Sequence, residues 1–234
     1  MPEGDISPLA TAIHQLVQWV GTGRSLTATG ELRVADGLEL VQLLDTGDHP
    51  CGGAGLDRLS STRSLPVLQS LLRLAVEANL LRTQRGRLIQ VKRNARQAVT
   101  AEGVRQLLVE NAHRTAPATL APDVERPDLG DAVLAALWRE LSRNRHASLV
   151  VSELTCTLWS AVVPDTGAID LAPISSVSAD ARAEFAEMVA LVLMDYAQLG
   201  LVAMDPEQTL VQLTSIGSHE ADERLVPAGG LDRP

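Results

Sequence analysis

Apolar residues recur at helical spacing over residues 8–20, where Ala12, Ile13, Leu16, Val17 and Val20 share a face and Gln15 and Gln18 interrupt it. Gly21-Thr22-Gly23 ends that helix. Residues 25–29 are short and extended in character, with Gly30 behind them. A second helix is expected over 32–44, on Leu38, Leu40, Val41, Leu43 and Leu44. Residues 45–62 carry Gly47, Pro50, Gly52, Gly53 and Gly55 and read as a long loop. The strongest helical pattern follows over 65–80, with Pro66 suited to the first turn and Ser64 the expected N-cap. Leu81-Arg82-Thr83, the turn Gln84-Arg85-Gly86-Arg87 and a second extended run over 88–91 predict a β-hairpin.

The second half repeats this order. Helices are expected over 129–141, over 152–162 with Ser152 as N-cap, and over 179–199; residues 148–151 are short and extended. Residues 163–178 form a loop with Pro164, Gly167 and Pro173. Residues 201–204 and 209–213 form a second hairpin around Asp205-Pro206-Glu207-Gln208. The helix-to-hairpin junctions superimpose: Glu77-Ala78-Asn79-Leu80-Leu81 matches Gln198-Leu199-Gly200-Leu201-Val202, and Leu88-Ile89-Gln90-Val91 matches Leu210-Val211-Gln212-Leu213. Asn79 and Gly200 both fall where a helix end wants a left-handed residue. Helix, short strand, helix, helix, hairpin is the order of a winged helix-turn-helix domain, the short strand pairing with the hairpin and the hairpin forming the wing. The expected fold is therefore mostly α with short β-hairpins, as two tandem winged helix-turn-helix domains. Domain 1 spans 1–96 and domain 2 spans 129–217. Between them, 97–128 comprise a helix from about Ala101 to Ala112, N-capped by Thr100, and a linker containing Pro117, Pro122 and Pro127. Residues 218–234 are polar, lack periodicity and read as a disordered tail.

Gly23-Arg24-Ser25-Leu26-Thr27-Ala28-Thr29-Gly30-Glu31-Leu32-Arg33-Val34-Ala35-Asp36 resembles a stretch shared by a set of uncharacterised proteins from high-GC Gram-positive, actinobacterial, bacteria. Their common pattern is Leu-Thr-x-Thr-Gly-x-Leu-Arg-x-Ala-Asp before a Leu-rich helix. The likeness extends loosely over 9–93 and faintly over the second half. It implies tandem winged-helix architecture and carries no activity. In physical terms, Leu26 is expected to face the core, Gly30 to allow a turn, and Asp36 to support the start of the next helix.

Charge changes the picture when divided along the chain. The 234 residues carry net −9, yet 58–115 hold 11 basic and 3 acidic groups while 116–234 hold 7 and 18. A basic segment thus sits inside an acidic protein, which repels nucleic acid at long range and still offers it one face. Lys92 is the single lysine, so the Arg-rich character belongs to the whole chain. No apolar run is long enough for a membrane span, and no secretion signal precedes the first helix. Cys51 and Cys156 are far apart, which with the missing signal suggests a reduced, cytoplasmic setting.

Arg82, Arg85, Arg87, Lys92 and Arg93, with Arg96, lie on and just after the first hairpin. A wing tip lies along phosphates or beside a minor groove, where guanidinium groups pair well. In the 65–80 helix, Gln69, Arg73 and Glu77 form one polar stripe on an otherwise Leu-, Val- and Ala-rich surface. Gln69 and Arg73 are the residues there that can reach base edges; so apolar a helix fits a protein contact as readily. In the second half, Glu184, Glu187 and Asp195 and the Asp205-Pro206-Glu207 turn oppose DNA and suit a partner protein or a second copy. The five histidines are scattered, so neither metal nor cofactor is expected. No nucleophile elbow or phosphate loop is present, so no catalytic residue is assigned. The aromatic content of 2% is too low for base stacking, and Trp19 and Trp138 read as core or contact residues. Together these point to a non-enzymatic DNA-associated regulator. It would contact double-stranded DNA through domain 1 and dimerise or hold a partner through domain 2, with no membrane contact. The alternative is a tandem winged-helix adaptor that binds only proteins.

Overall fold

The computed structural model describes residues 7–48, 59–120, 127–162 and 179–225. The chain is mostly helical with two small antiparallel sheets, and it divides into two compact units between Asn111 and Ala112.

In the first unit, α1 (Pro8–Val20) begins at Ser7, whose Oγ accepts the Ala10 amide at 3.4 Å, and ends at Gly21 with φ +52°. Its buried face is Ala10, Ile13, Leu16, Val17 and Val20; four of these belong to the face read from the sequence, while Ala12, the fifth residue of that reading, is half-buried and Ala10 takes its place in the core. β1 (Arg24–Ser25) is followed by α2 (Val34–Leu44), which starts two residues later than expected. α3 (Pro66–Glu77) buries Leu68, Leu71 and Ala75. β2 (Leu81–Gln84) and β3 (Arg87–Gln90) pair in register, with Leu81 opposite Gln90 and Gln84 opposite Arg87. Arg85 and Gly86 between them have φ +50° and +69°, a two-residue turn whose twist suits a hairpin. β1 pairs with β3 as expected, giving the order β1-β3-β2.

The sequence pattern placed the N-cap of α3 at Ser64. Instead Ser64 lies in a short 3-10 turn, Thr62–Ser64, and Leu65 occupies the cap position without a side-chain bond. The cap comes from Asp48, nearly twenty residues earlier and only 3% exposed. Its Oδ1 accepts the Val67 amide at 2.9 Å and its Oδ2 accepts the Leu68 amide at 2.8 Å and the Thr46 hydroxyl at 3.0 Å.

The stretch that carries the family resemblance is a structural tie. Thr27 Oγ1 accepts the Glu31 amide, Gly30 turns with φ +81°, Glu31 accepts the Ser61 hydroxyl and pairs with Arg63, and the Leu32 carbonyl accepts the Thr62 hydroxyl. Leu26 is only half-buried. The loop read over 45–62 is described only outside 49–58, so His49 and Cys51 lie outside the described residues.

After the hairpin, a 3-10 turn (Gln97–Val99) precedes α4 (Ala101–Leu120), where Thr100 Oγ1 accepts the Gly103 amide as the expected cap. α4 does not stop near Ala112. It continues through Pro117, a residue assigned to the linker, and its residues from Ala112 onward belong to the second unit.

The second unit repeats the order with α5 (Pro127–Arg143), β4 (Leu149–Val150), α6 (Val151–Val162), α7 (Ala179–Gln198), β5 (Val202–Met204) and β6 (Leu210–Leu213), in the sheet order β4-β6-β5. Ser152 lies inside α6, because the chain turns from β4 into the helix without a spacer residue. The loop read over 163–178 lies outside the described residues. Asn79 and Gly200 close α3 and α7 with the same paired backbone bonds and φ of +55° and +74°.

Residues 218–225 are not a disordered tail: α8 (Ser215–Leu225) follows the second hairpin directly. It is fixed where its sequence looks featureless. Thr214 Oγ1 donates to the Gly200 carbonyl at 2.6 Å and accepts the Gly217 amide at 3.0 Å, Gly217 lies against the Leu201 carbonyl, and Arg145 pairs with Asp222 at 2.8 Å. Among the described residues no helix is long and apolar enough to cross a membrane.

Candidate nucleic-acid interface

The expected contact residues of the first unit fall into two sets on different surfaces. Cross-strand partners share a sheet face and neighbours along a strand alternate. The Thr83–Leu88 pair faces α3, so the Arg82–Ile89 and Gln84–Arg87 pairs stand on the other face of the hairpin. Arg85 occupies the exposed tip, Arg82 Nη2 donates to Gln84 Oε1 at 3.1 Å, and Arg87 Nη2 donates to the Gly23 carbonyl at 3.0 Å.

Lys92, Arg93 and Arg96 are displayed by the turn after β3. That turn is anchored from beneath. Buried Asn94 donates to the Asn79 carbonyl at 3.0 Å, Gln90 donates to the Val17 carbonyl at 2.7 Å, and Gln18 donates to the Ala98 carbonyl at 3.2 Å. The sequence alone did not single out Asn94 or Gln90, whose carboxamides hold the basic turn against the ends of α1 and α3.

All six hairpin and turn cations are exposed, and none has a carboxylate partner among the described residues. Elsewhere in the unit, Arg63, Arg73 and Arg105 each face a glutamate, and Arg24 lies 4.1 Å over the Trp19 ring and donates to the Trp19 carbonyl.

Gln69 and Arg73 belong to the second set. They edge a groove of about 360 Å3 between α3 and the sheet, with an apolar floor that includes Leu26, Leu32, Leu72, Val76 and Leu88. Both are already engaged: Gln69 Nε2 donates to the Thr62 carbonyl at 3.0 Å, and Arg73 Nε is 4.0 Å from Glu77 Oε1. The hairpin and turn cations do not line this groove.

In the second unit Glu184, Glu187 and Asp195 are exposed and, with Leu191 at 45% exposure, form a single stripe along α7 at spacings of three, four and four. The Asp205 carboxylate in the neighbouring hairpin is tied inward. It accepts the Leu210 amide at 2.6 Å and the Thr209 hydroxyl at 2.7 Å, and these bonds, the amide first, hold its pKa below the ordinary carboxylate value.

A buried polar cluster in this unit left no sequence signal. Tyr196 of α7 shares a 3.0 Å hydrogen bond with His113 Nδ1, His113 Nε2 lies 3.5 Å from Glu220, and the two rings and Trp138 sit within 5.3 Å of one another. Its members come from four helices, so no local spacing announces it. Among the described residues no group of three or more His, Cys, Asp or Glu is placed to hold a metal.

No protein-family model, curated protein or solved structure matches this chain.

Proposed function

We propose that this protein is a non-enzymatic, DNA-associated regulator built of two winged helix-turn-helix domains. In this reading the first unit lays its hairpin and the following turn along the DNA backbone through Arg82, Arg85, Arg87, Lys92 and Arg93. The second unit dimerises or holds a partner through the Glu184, Glu187 and Asp195 stripe. One observation supports the reading: a dense set of exposed cations has no carboxylate partner among the described residues of an acidic protein and is presented on a hydrogen-bonded frame. Such a set gains counterion-release energy from phosphates at no cost in broken ion pairs. Gln69 and Arg73 have a lesser part, since reading bases requires them to give up Thr62 and Glu77.

The test is fluorescence anisotropy of a labelled GC-rich duplex titrated with the full chain at about 50 and about 200 mM salt. Five or six phosphate contacts predict a loss of about a thousandfold in affinity over that range. Arg85→Glu/Arg87→Glu should abolish binding at the higher salt. No binding at the lower salt refutes the DNA contact.

The apolar floor of the α3 groove favours the second reading, a protein-only adaptor, because aliphatic side chains there suit an inserted partner segment better than a phosphate. In that case the Arg85/Arg87 reversal leaves the partner interaction intact, and Glu184→Lys/Glu187→Lys disrupts it.

A further inference from the structure

The second unit holds a cavity of about 240 Å3 between α6 and α7. Along α6 its lining repeats at positions 152, 155, 156, 159 and 160, the spacing that ordinarily forms the apolar seam of a helix packed on its neighbour. Here Ser152, Cys156 and Ser160 are small and exposed, so the space that larger side chains would close stays open beside Trp159. The Trp159 and Phe185 rings meet edge-on at 5.2 Å and make one wall. The space is open to solvent along one side, and its volume admits one substituted ring lying against that wall.

The polar groups fix the charge of an occupant. Arg182 is the single charged side chain on the described lining, it is exposed, and it makes no ion pair among the described residues. The Thr155 hydroxyl donates to the Val151 carbonyl at 2.8 Å and the Ser160 hydroxyl to the Cys156 carbonyl at 2.9 Å. Both are thereby left as acceptors, which cannot serve a carboxylate. The Arg182 guanidinium is the cationic partner that the described lining offers an anionic group.

We propose that this cavity binds a small aromatic carboxylate, with its ring against Trp159 and Phe185 and its carboxylate on Arg182. The site lies in the acidic unit and is independent of whether the first unit binds DNA.

Cys156 at the cavity edge supplies the readout. The test uses the full chain carrying Cys51→Ser, so that Cys156 is its single thiol. Alkylation of Cys156 by iodoacetamide is timed with 4-tert-butylbenzoate or its neutral isostere 4-tert-butylbenzamide present. The benzoate should protect Cys156 at about tenfold lower concentration than the benzamide, the margin expected of a charge-assisted pair. Arg182→Gln, a change at an exposed position, should erase that margin while weak protection by both compounds persists. Ser160→Leu, which fills the cavity, should remove protection by both. Equal protection by the two compounds in the starting chain, a margin that survives Arg182→Gln, or no protection at about 10 mM overturns the proposal.

Discussion

Removing the Asp48 carboxylate should loosen α3 from its N-terminal end. The carboxylate accepts two of the amide groups that a helix start leaves without partners, at 2.9 and 2.8 Å, and it is buried. Replacing an N-cap acceptor by alanine costs about 0.5–2 kcal/mol, and loss of a negative charge at a helix start adds about 0.3–1 kcal/mol. Burial places Asp48 in the upper part of both ranges, since water cannot readily replace the lost acceptor. Asp48→Ala should therefore cost about 2–3 kcal/mol. Asp48→Asn keeps one acceptor oxygen for one of the two amides, so its cost should be about 1 kcal/mol. Amide hydrogen exchange on the full chain reads this directly: Val67 and Leu68 should exchange about thirtyfold faster in the alanine variant, the factor that corresponds to 2 kcal/mol. Unchanged exchange at those two amides, with an unchanged urea midpoint for the first unit, refutes the capping role. An Asn variant as damaged as the Ala variant would show that charge, rather than the pair of hydrogen bonds, holds the helix.

Gly217→Ala should destabilise the second unit by about 1–3 kcal/mol, because the added Cβ would fall on the Leu201 carbonyl and a backbone atom cannot swing aside; an unchanged midpoint in urea would show that α8 shifts freely. Asp205 should titrate below the ordinary aspartate value in a carbon-detected NMR experiment, and Thr209→Ala, which removes the hydroxyl bond, should raise its midpoint partway back. A depressed folded-state pKa stabilises above the unfolded value and is lost as pH falls through the folded one, so the hairpin turn should loosen only below about pH 4. A midpoint unmoved by Thr209→Ala would refute the assignment. Glu102 behaves with the same sign: the Arg105 hydrogen bond, partly opposed by burial, lowers its pKa, and Arg105→Gln should raise it.

Where side chains repeat along one element, the sequence was sufficient. The α1 boundaries and most of its buried face, the Arg85-Gly86 turn and the left-handed residues Asn79 and Gly200 follow from local spacing and local backbone preference. The failures share a different cause. Asp48 caps a helix that starts at Pro66, and the intervening chain hides the link. Pro117 looks like a linker residue by composition, yet Gly130 of α5 lies against its backbone and the close approach keeps it inside a packed helix. The stretch after Ser215 has too few apolar positions to show a period. Its signal was a different repeat: Thr214-Ser-Ile-Gly217 matches Thr100-Ala-Glu-Gly103, and in both the threonine hydroxyl accepts the glycine amide at 3.0 Å.

That shared cap shows that each unit continues past its hairpin into another helix, so the duplication covers more than the two helix-to-hairpin junctions. The same frame then carries opposite chemistry. The first hairpin is a tight turn tipped by Arg85, with exposed cations on its outer face and on the turn beyond that pair with no carboxylate among the described residues. The second is longer, and its Asp205 carboxylate is spent on the Leu210 amide and the Thr209 hydroxyl. The groove beside α3 has an aliphatic floor edged by Glu31, Gln69, Arg73 and Glu77, whereas the space between α6 and α7 has an aromatic wall and one guanidinium on its described lining. Backbone-determining residues such as the capping threonines and the glycines packed behind them are what the two copies keep in common. Surface residues are where they part: the charge of the two hairpins and of α7 differs between copies whose fold is shared, so any difference in what the units bind rests on side chains and not on the frame.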